Sequence, residues 1–333
     1  MGKLDTENLK KLLTCIKKDP RVIVPPLPGF DSGVHSINDK EYLVVSTDPC
    51  LGVPQEWFGW LLIHYAASDV ALFGAKPEFG TLNLLGPLQT SPKTFIEIMG
   101  QACKAAAELK MAVVTGHTGT YEGISTLVGV CTAYGTINKK KLKTPSGAKP
   151  GDFLLCIKPL GLEVVVNFSI MHKLAQRLFG ISRARELSKL VNMQSCVKEA
   201  LFLAEAEGVN AMHDATEGGL TAALNEMAEA SKIGFTINSE AIPIAKEAYL
   251  LQKYFSLTNK QMLSLSSTGT ILAAIRSAKE IEILENLHKN GIEAKILGVF
   301  TKDLQRILVR NGKEERFPQK ADDPYERILA EEV

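Results

Sequence analysis

The stretch from Val44 to Pro77, VVSTDPCLGVPQEWFGWLLIHYAASDVALFGAKP, sets two carboxylates where a folded chain has to account for them. Leu43–Ser46 reads as a β-branched strand that gives way at Thr47-Asp48 to a Pro/Gly loop. An apolar helical pattern follows from Trp57 to Phe73, stopped by Gly74 and Pro77. Asp48 therefore stands at a strand end. Asp69 stands inside an otherwise apolar helix, where a carboxylate is costly unless something pairs with it. One carboxylate on a strand end and one on the next helix can face a common point, as a hard cation carrying phosphate oxygens requires. The residues alone leave a second reading open, with Asp48 capping a turn and Asp69 partly exposed on an amphipathic helix.

The remaining composition narrows the function classes. The chain has 333 residues, enough for two ordinary domains, and 45 % of them are apolar, enough for a substantial core. Lys and Arg number 38 against 37 Asp and Glu, which gives no charge-based footing for a nucleic-acid or membrane-surface partner. The six cysteines are widely spaced with no CxxC pair, so a zinc ribbon and a thioredoxin-type site are not indicated. Reduced, mostly buried thiols in a cytoplasmic protein are the expectation. The polar start MGKLDTENLKK is not a signal peptide, although it fits the short Met-Gly-x-x-x-Thr acylation pattern. Trp57–Ala75 approaches bilayer length, but His64, Ser68 and Asp69 make it a core helix.

Along the chain, Asp5–Lys18 reads as an amphipathic helix with Leu9, Leu12, Leu13 and Ile16 on one face, which also makes Cys15 a core residue. Gly29-Phe30-Asp31-Ser32-Gly33 is turn-like. Pro92–Lys110 predicts a helix burying Phe95, Ile98, Met99, Cys103 and Ala106. Met111–Thr115 predicts a short buried strand running into a Gly116-His117-Thr118-Gly119 turn, and Ser125–Ile137 a long strand. The basic, Pro-containing segment Lys139–Pro150 predicts a solvated hinge. Beyond it come a strand at Phe153–Ile157, helical patterns over Glu163–Lys189 and Met193–Glu207, and a helix Leu220–Ala230 opened by His213-Asp214-Ala215-Thr216-Glu217-Gly218-Gly219. Strands are expected at Gly234–Ile237, Thr268–Ile275 and Ile292–Val299, with a helix at Ala278–Asn290. Strands and helices alternate without a strict βα repeat, so the fold class is α+β in two domains.

Asp31, Asp48, the 116–119 turn and Asp214 lie in loops that follow strands or open helices, and Asp69 joins them from a helix. Mg²⁺ takes oxygen ligands from several loops and keeps waters and substrate phosphates in its shell. Glycines at 29, 33, 116 and 119 let backbone N–H groups approach phosphate oxygens, and the segment after Asp214 adds a helix N-terminus. No GxxxxGK[ST] loop, kinase motif set or GxSxG elbow is present.

The series GFDSGV, VVSTDP, SDVALFGAKP, TGHTG, KPGDFLLCIKPLG and MHDATEGGLTAALNEMAEASKIGFTI resembles the PurM-like superfamily, in consistent order from about Asp31 to Phe300. That group contains aminoimidazole ribonucleotide (AIR) synthetase, thiamine-monophosphate kinase, selenophosphate synthetase and the hydrogenase maturation protein HypE. SDVALFGAKP and MHDATEGGLTAALNEMAE are the most HypE-like stretches. The resemblance implies an N-terminal domain over residues 1–140 that binds ATP and Mg²⁺ and pairs its sheet across a homodimer. A C-terminal α/β domain would cover 150–333, with ATP in a cleft between the two. It implies Asp31, Asp48 and Asp69 as metal and phosphate ligands. Gly33, Gly116, Thr118 and Gly119 join Asp31 and Asp48 around the nucleotide, His117 sits at the phosphates or reacting oxygen, and Asp214 orients the substrate. The implied chemistry is attack of a substrate oxygen on the γ-phosphoryl group of ATP, by positioning and electrostatic stabilisation.

Three departures from the HypE pattern shape the expectation. Thr115-Gly116-His117 replaces Gly-Gly-Asp, and imidazole is a poor Mg²⁺ partner, although selenophosphate synthetases look similar here. On the residues alone His117 can equally be a backbone-bonded turn residue. The sequence closes DDPYERILAEEV and its last cysteine is Cys196, so chemistry on a C-terminal thiol is not expected. Glu217 stands where the HypE-type motif has Arg, reversing a charge beside the substrate. The reading is an ATP- and Mg²⁺-dependent HypE-like enzyme acting on a small-molecule or peptide-derived substrate. The alternatives are a small-molecule kinase similar to thiamine-monophosphate kinase, and a non-catalytic nucleotide-binding homologue.

Overall fold

Ser46, Asp48 and Cys50 share one face of a ten-residue strand, and that face is covered by a helix buried almost all round. A computed structural model of the chain describes residue 4 and residues 6–330; the N-terminal acylation pattern begins outside the described residues. Internal packing divides the chain into residues 10–142, and residues 143–330 with the described residues before Lys10.

The chain opens with α1 (Thr6–Leu13). This helix is shorter than the apolar spacing predicts, and Leu12 and Ile16 stay exposed. Cys15 follows its end and is also exposed, which corrects its assignment to the core.

The first unit then runs β1 (Val22–Val24), β2 (Gly33–Ser36), β3 (Glu41–Cys50), α2 (Phe58–Leu72), β4 (Phe79–Gly86), α3 (Pro92–Leu109), β5 (Ala112–Thr120) and β6 (Val128–Asn138). Its sheet has the order β1-β2-β3-β6-β4-β5, with β4 and β5 parallel and every other pair antiparallel. On β3 the buried residues Val44, Ser46 and Cys50 alternate with more open ones, as a half-covered strand should. α2 packs on β3 and β6 and against α3. Ser91 caps α3 by accepting the Thr94 N–H, with Pro92 in its first turn. The buried face of α3 is Ile98, Ala102, Ala105 and Ala106; Cys103 is exposed, because small alanines rather than the larger side chains meet α2.

The second unit runs β7 (Phe153–Ile157), α4 (Leu162–Met171), α5 (Ala175–Phe179), α6 (Ile181–Leu187), α7 (Val197–Glu205), β8 (Val209–Asp214), α8 (Gly219–Ser231), β9 (Gly234–Asn238), α9 (Ala248–Tyr254), α10 (Asn259–Leu263), β10 (Ile271–Ile275), α11 (Glu280–Lys289), β11 (Ala294–Thr301), β12 (Arg306–Arg310), β13 (Lys313–Arg316) and α12 (Tyr325–Leu329). Its sheet order is β13-β12-β9-β11-β7-β10-β8. One core packs α8 through Leu220, Leu224 and Met227 against sheet residues such as Leu154, Phe235 and Leu272. A second gathers Val164, Phe168, Leu187, Leu251 and Ile328 from the surrounding helices. The basic segment is only in part the solvated hinge expected. Lys139–Lys141 is a single 3₁₀ turn, but Pro145 is buried and Lys143 Nζ donates to Val209 O at 2.8 Å on β8.

Candidate functional site

Asp48 and Asp69 come to the same interior face of the first unit. Asp48 lies within β3, two residues before its end, rather than in the loop, and is paired across the ladder with Cys131 of β6. Asp69, only 8 % exposed, descends from α2, and Ser46 Oγ donates to its Oδ2 at 2.7 Å. Burial, and then the fields of Asp48 and Asp69, push the Cys131 thiol up to about 12. Burial and Asp48 likewise raise the Cys50 thiol. Both thiols therefore stay protonated at neutral pH. The charged donors of this patch are carboxylate oxygens, which suit a hard cation such as Mg²⁺ rather than a thiophilic metal. Asp31 lies two residues before Gly33, whose ladder partner is Val45, so Asp31 and Asp48 sit toward the same end of the β2–β3 pair. Ser32 beside it is 2 % exposed, and its Oγ has no hydrogen-bond partner among the described residues.

His117 is placed differently from the sequence expectation. Residues 116–119 are not a turn; they lie in the second half of β5, the edge strand of the sheet, and the strand is exposed rather than buried. Gly116 is dictated by strand packing, since a Cβ there would lie 2.3 Å from Leu82 O on β4. Gly33 carries no such demand, its nearest neighbour to a built Cβ being 3.6 Å away. His117 Nε2 hydrogen-bonds the Tyr121 hydroxyl. His117 pairs with Asn83, Asn83 with Val130, and Val130 with Pro49, so three strand spacings of about 4.8 Å each separate it from the β3 row beside Asp48. Within one chain His117 is too far to share a cation with Asp48 directly.

In the second unit Asp214 ends β8 and is 2 % exposed. Its Oδ1 has no hydrogen-bond partner among the described residues and lies 3.5 Å from His213 Nδ1. The chain then turns through Gly218 and Gly219, both at positive φ, into α8; a Cβ at Gly219 would meet Leu265 O at 2.4 Å. Around this turn lies an acidic group that the sequence reading did not assemble. Asp323 accepts from Gly218 N at 2.9 Å and Ser266 Oγ at 2.6 Å. Glu163, at the start of α4, accepts from Thr268 N at 2.9 Å and Thr268 Oγ1 at 2.7 Å. Burial pushes Glu163 up to about 7 against those hydrogen bonds, with Asp323 and Glu217 adding to the rise. Glu163 opens the helical pattern predicted over Glu163–Lys189 with nothing in its spacing to mark it; only the fold brings it to the acids.

A two-layered, mainly antiparallel unit carrying Asp48 and Asp69, followed by a mixed α/β unit carrying Asp214 before a Gly-Gly helix start, defines a PurM-like protein. The model of the AIR synthase related protein N-terminal domain matches residues 29–137 and that of the C-terminal domain residues 149–309, and the chain belongs to this family. Among curated proteins it is similar to a putative hydrogenase expression/formation protein of Methanocaldococcus jannaschii, at 27 % identity over 290 residues, covering 84 % of this chain and 82 % of the relative. It is also similar to the selenide, water dikinase of Carboxydothermus hydrogenoformans, at 25 % identity over 339 residues, covering 93 % and 95 %. The fold matches E. coli HypE with a TM-score of 0.72 at 20 % identity, over 97 % of this chain and 99 % of that one. It matches HypE in complex with ATP with a TM-score of 0.67 at 19 % identity, over 87 % and 89 %. No helix among the described residues is long and apolar enough to cross a membrane.

Proposed function

We propose that this chain is an ATP- and Mg²⁺-dependent, HypE-like enzyme that activates a substrate oxygen by phosphoryl transfer. The observation that carries the reading is the Asp48–Asp69 pair, two carboxylates on facing elements with Ser46 fixing one of them and protonated thiols beneath. A buried carboxylate is retained at a cost, and a cation is the natural compensation. ATP use is supported by the fold likeness to HypE in complex with ATP and by the relationship to a selenide, water dikinase. Mg²⁺, when bound, neutralises charge developing on the transferred phosphoryl group.

In this reading Asp31, Asp48 and Asp69 hold the metal and phosphates. Gly33 offers a backbone N–H group to the nucleotide. Gly116, Thr118 and Gly119 flank His117 on β5, and His117 contacts phosphate or the reacting oxygen. Asp214 orients the substrate. The N-terminal domain, residues 1–140, would form a homodimer through β5, whose nine residues lie along a sheet edge with Val114 56 % exposed. A long exposed sheet edge presents unpaired N–H and C=O groups and is commonly covered or paired. Pairing would also cover the strand that holds His117.

Mg²⁺-dependent ATP turnover by the full chain, compared with Asp48→Asn, tests the reading. The variant should keep its circular dichroism spectrum and lose turnover by at least about a hundredfold, the scale of removing a preorganised electrostatic group. Full activity in Asp48→Asn would remove the metal assignment.

A further inference from the structure

A buried hydroxyl stands beside the Asp48–Asp69 pair. Ser32 is 2 % exposed, and its Oγ has no hydrogen-bond partner among the described residues. The β2–β3 ladder pairs Val34 with Val44 and Gly33 with Val45, so one step further along the same register sets Ser32 opposite Ser46. Residues directly opposite in an antiparallel pair turn to the same face. Burial follows that rule, with Val34, Ser32 and Ser46 each 2 % exposed and Val44 fully buried. Ser46 shares its face of β3 with Asp48 and donates to Asp69 Oδ2 at 2.7 Å. The loop before Ser32 is held to α2 as well. The Phe30 ring packs edge-on against Phe73 with 6.5 Å between centroids, and Phe73 lies one helical turn beyond Asp69. The Ser32 hydroxyl therefore faces the interior patch that carries both acids.

We infer that Ser32 is a further ligand of the divalent cation, its Oγ supplying a neutral oxygen on the Asp48–Asp69 face. The inference rests on the proposed Mg²⁺–ATP reading of that pair. Mg²⁺ takes near-octahedral oxygen ligation and shares its shell with substrate phosphates. The acids proposed to hold the ion already carry at least as much negative charge as it neutralises. A further carboxylate would repel the phosphate oxygens, whereas a hydroxyl adds a ligand without adding charge. It coordinates through a lone pair and keeps its proton.

Packing alone does not call for this hydroxyl. Val34, two residues on, fills the same face with an apolar side chain. Ser46 is as deeply buried as Ser32, but its hydroxyl is satisfied by Asp69. Buried polar groups are nearly always bonded, and an exception calls for a cause such as strain, a catalytic role, or a bound water or ion. A cation arriving between the acids would give the Ser32 oxygen its partner and remove the cost of leaving it without one.

The test titrates the full chain calorimetrically with a non-hydrolysable ATP analogue in EDTA, Mg²⁺ or Cd²⁺, as wild type, Ser32→Ala and Ser32→Cys. In EDTA the urea midpoint of Ser32→Ala should equal or exceed that of wild type, because the change removes a buried hydroxyl that lacks a partner. Ser32→Ala should bind the analogue about tenfold more weakly in Mg²⁺ and equally well in EDTA, the lower end of what loss of a supporting group costs at a metal site. Ser32→Cys presents sulfur, which Mg²⁺ disfavours and a soft cation accepts, so its Cd²⁺-over-Mg²⁺ preference should exceed that of wild type by at least about tenfold. Cys50 and Cys131 are common to both proteins and cancel in that ratio. A wild-type Mg²⁺ gain that stays intact in Ser32→Ala, a lowered urea midpoint in that variant, or an unchanged metal preference in Ser32→Cys overturns the inference and leaves the proposed function standing. Wild-type affinity indifferent to Mg²⁺ and Cd²⁺ overturns the proposed function, and the inference with it.

Discussion

The Ser46 hydroxyl donates to Asp69 Oδ2 across 2.7 Å, tying the carboxylate of α2 to the strand that carries Asp48. The bond fixes the relative placement of two acids that are 21 residues apart in sequence, by the difference of their numbers. Ser46→Ala removes one donor from a buried carboxylate. The expected cost is about 1–3 kcal/mol of unfolding free energy, the range for leaving a buried acceptor short of a partner. Urea unfolding of variant and wild type measures it, and an unchanged midpoint would show that the bond contributes nothing.

Much of this patch was legible before the fold was known. Helix α2 lies within one residue at each end of the predicted Trp57–Phe73, because a long apolar run closed by Gly74 and Pro77 has few alternatives. Strand β7 coincides with Phe153–Ile157. Ser46 lies two residues before Asp48 and hence on the same strand face, but its hydroxyl carries no sequence mark of the bond it makes to Asp69. The predicted 116–119 turn failed for a physical reason. An exposed edge strand has no buried face to impose alternation, and its glycines read as a loop. The helix expected over Glu163–Lys189 breaks into α4, α5 and α6 at His172 and Gly180, which hydropathy alone does not reveal. The β12–β13 hairpin is marked in the sequence only by its Asn311-Gly312 loop, both residues at positive φ. Glu163 and Glu226 were invisible for a different reason: their partners, Thr268 and His213, are assigned by tertiary structure alone.

Glu163 makes stability depend on pH. Its carboxyl rises from 4.5 to about 7 on folding, so the folded state binds the proton more tightly than the unfolded one. The stability it contributes is fully present below pH 4.5 and is lost as pH rises through about 7. At 1.36 kcal/mol per unit the loss is about 3 kcal/mol. Denaturant midpoints at pH 5 and pH 8 should differ less for Glu163→Gln than for wild type. Equal pH slopes would contradict the raised carboxyl.

Gly116→Ala should damage the β4–β5 pairing, because its Cβ would lie 2.3 Å from Leu82 O and backbone cannot move aside cheaply. A loss of about 1–3 kcal/mol is expected, the usual cost of overpacking. Thermal unfolding measures it. A stability equal to wild type would mean that β5 shifts freely along the sheet edge.

The free edge of β5 makes the proposed homodimer directly testable. Val114→Lys places a charge on an exposed apolar position of that edge, a device that blocks strand pairing. Sedimentation equilibrium should show a dimer for wild type and a monomer for the variant, with β-sheet content retained. A dimer that survives the substitution would place the interface elsewhere.

The central claim is that Asp48 and Asp69 act together on a metal-bound nucleotide. Calorimetric titration with a non-hydrolysable ATP analogue, with Mg²⁺ and with EDTA, addresses it without relying on turnover. In wild type Mg²⁺ should tighten binding at least about tenfold, 1.4 kcal/mol, and Asp48→Asn and Asp69→Asn should each remove that gain. Nucleotide affinity that is indifferent to Mg²⁺, or a Mg²⁺ gain that survives in both variants, would contradict the account.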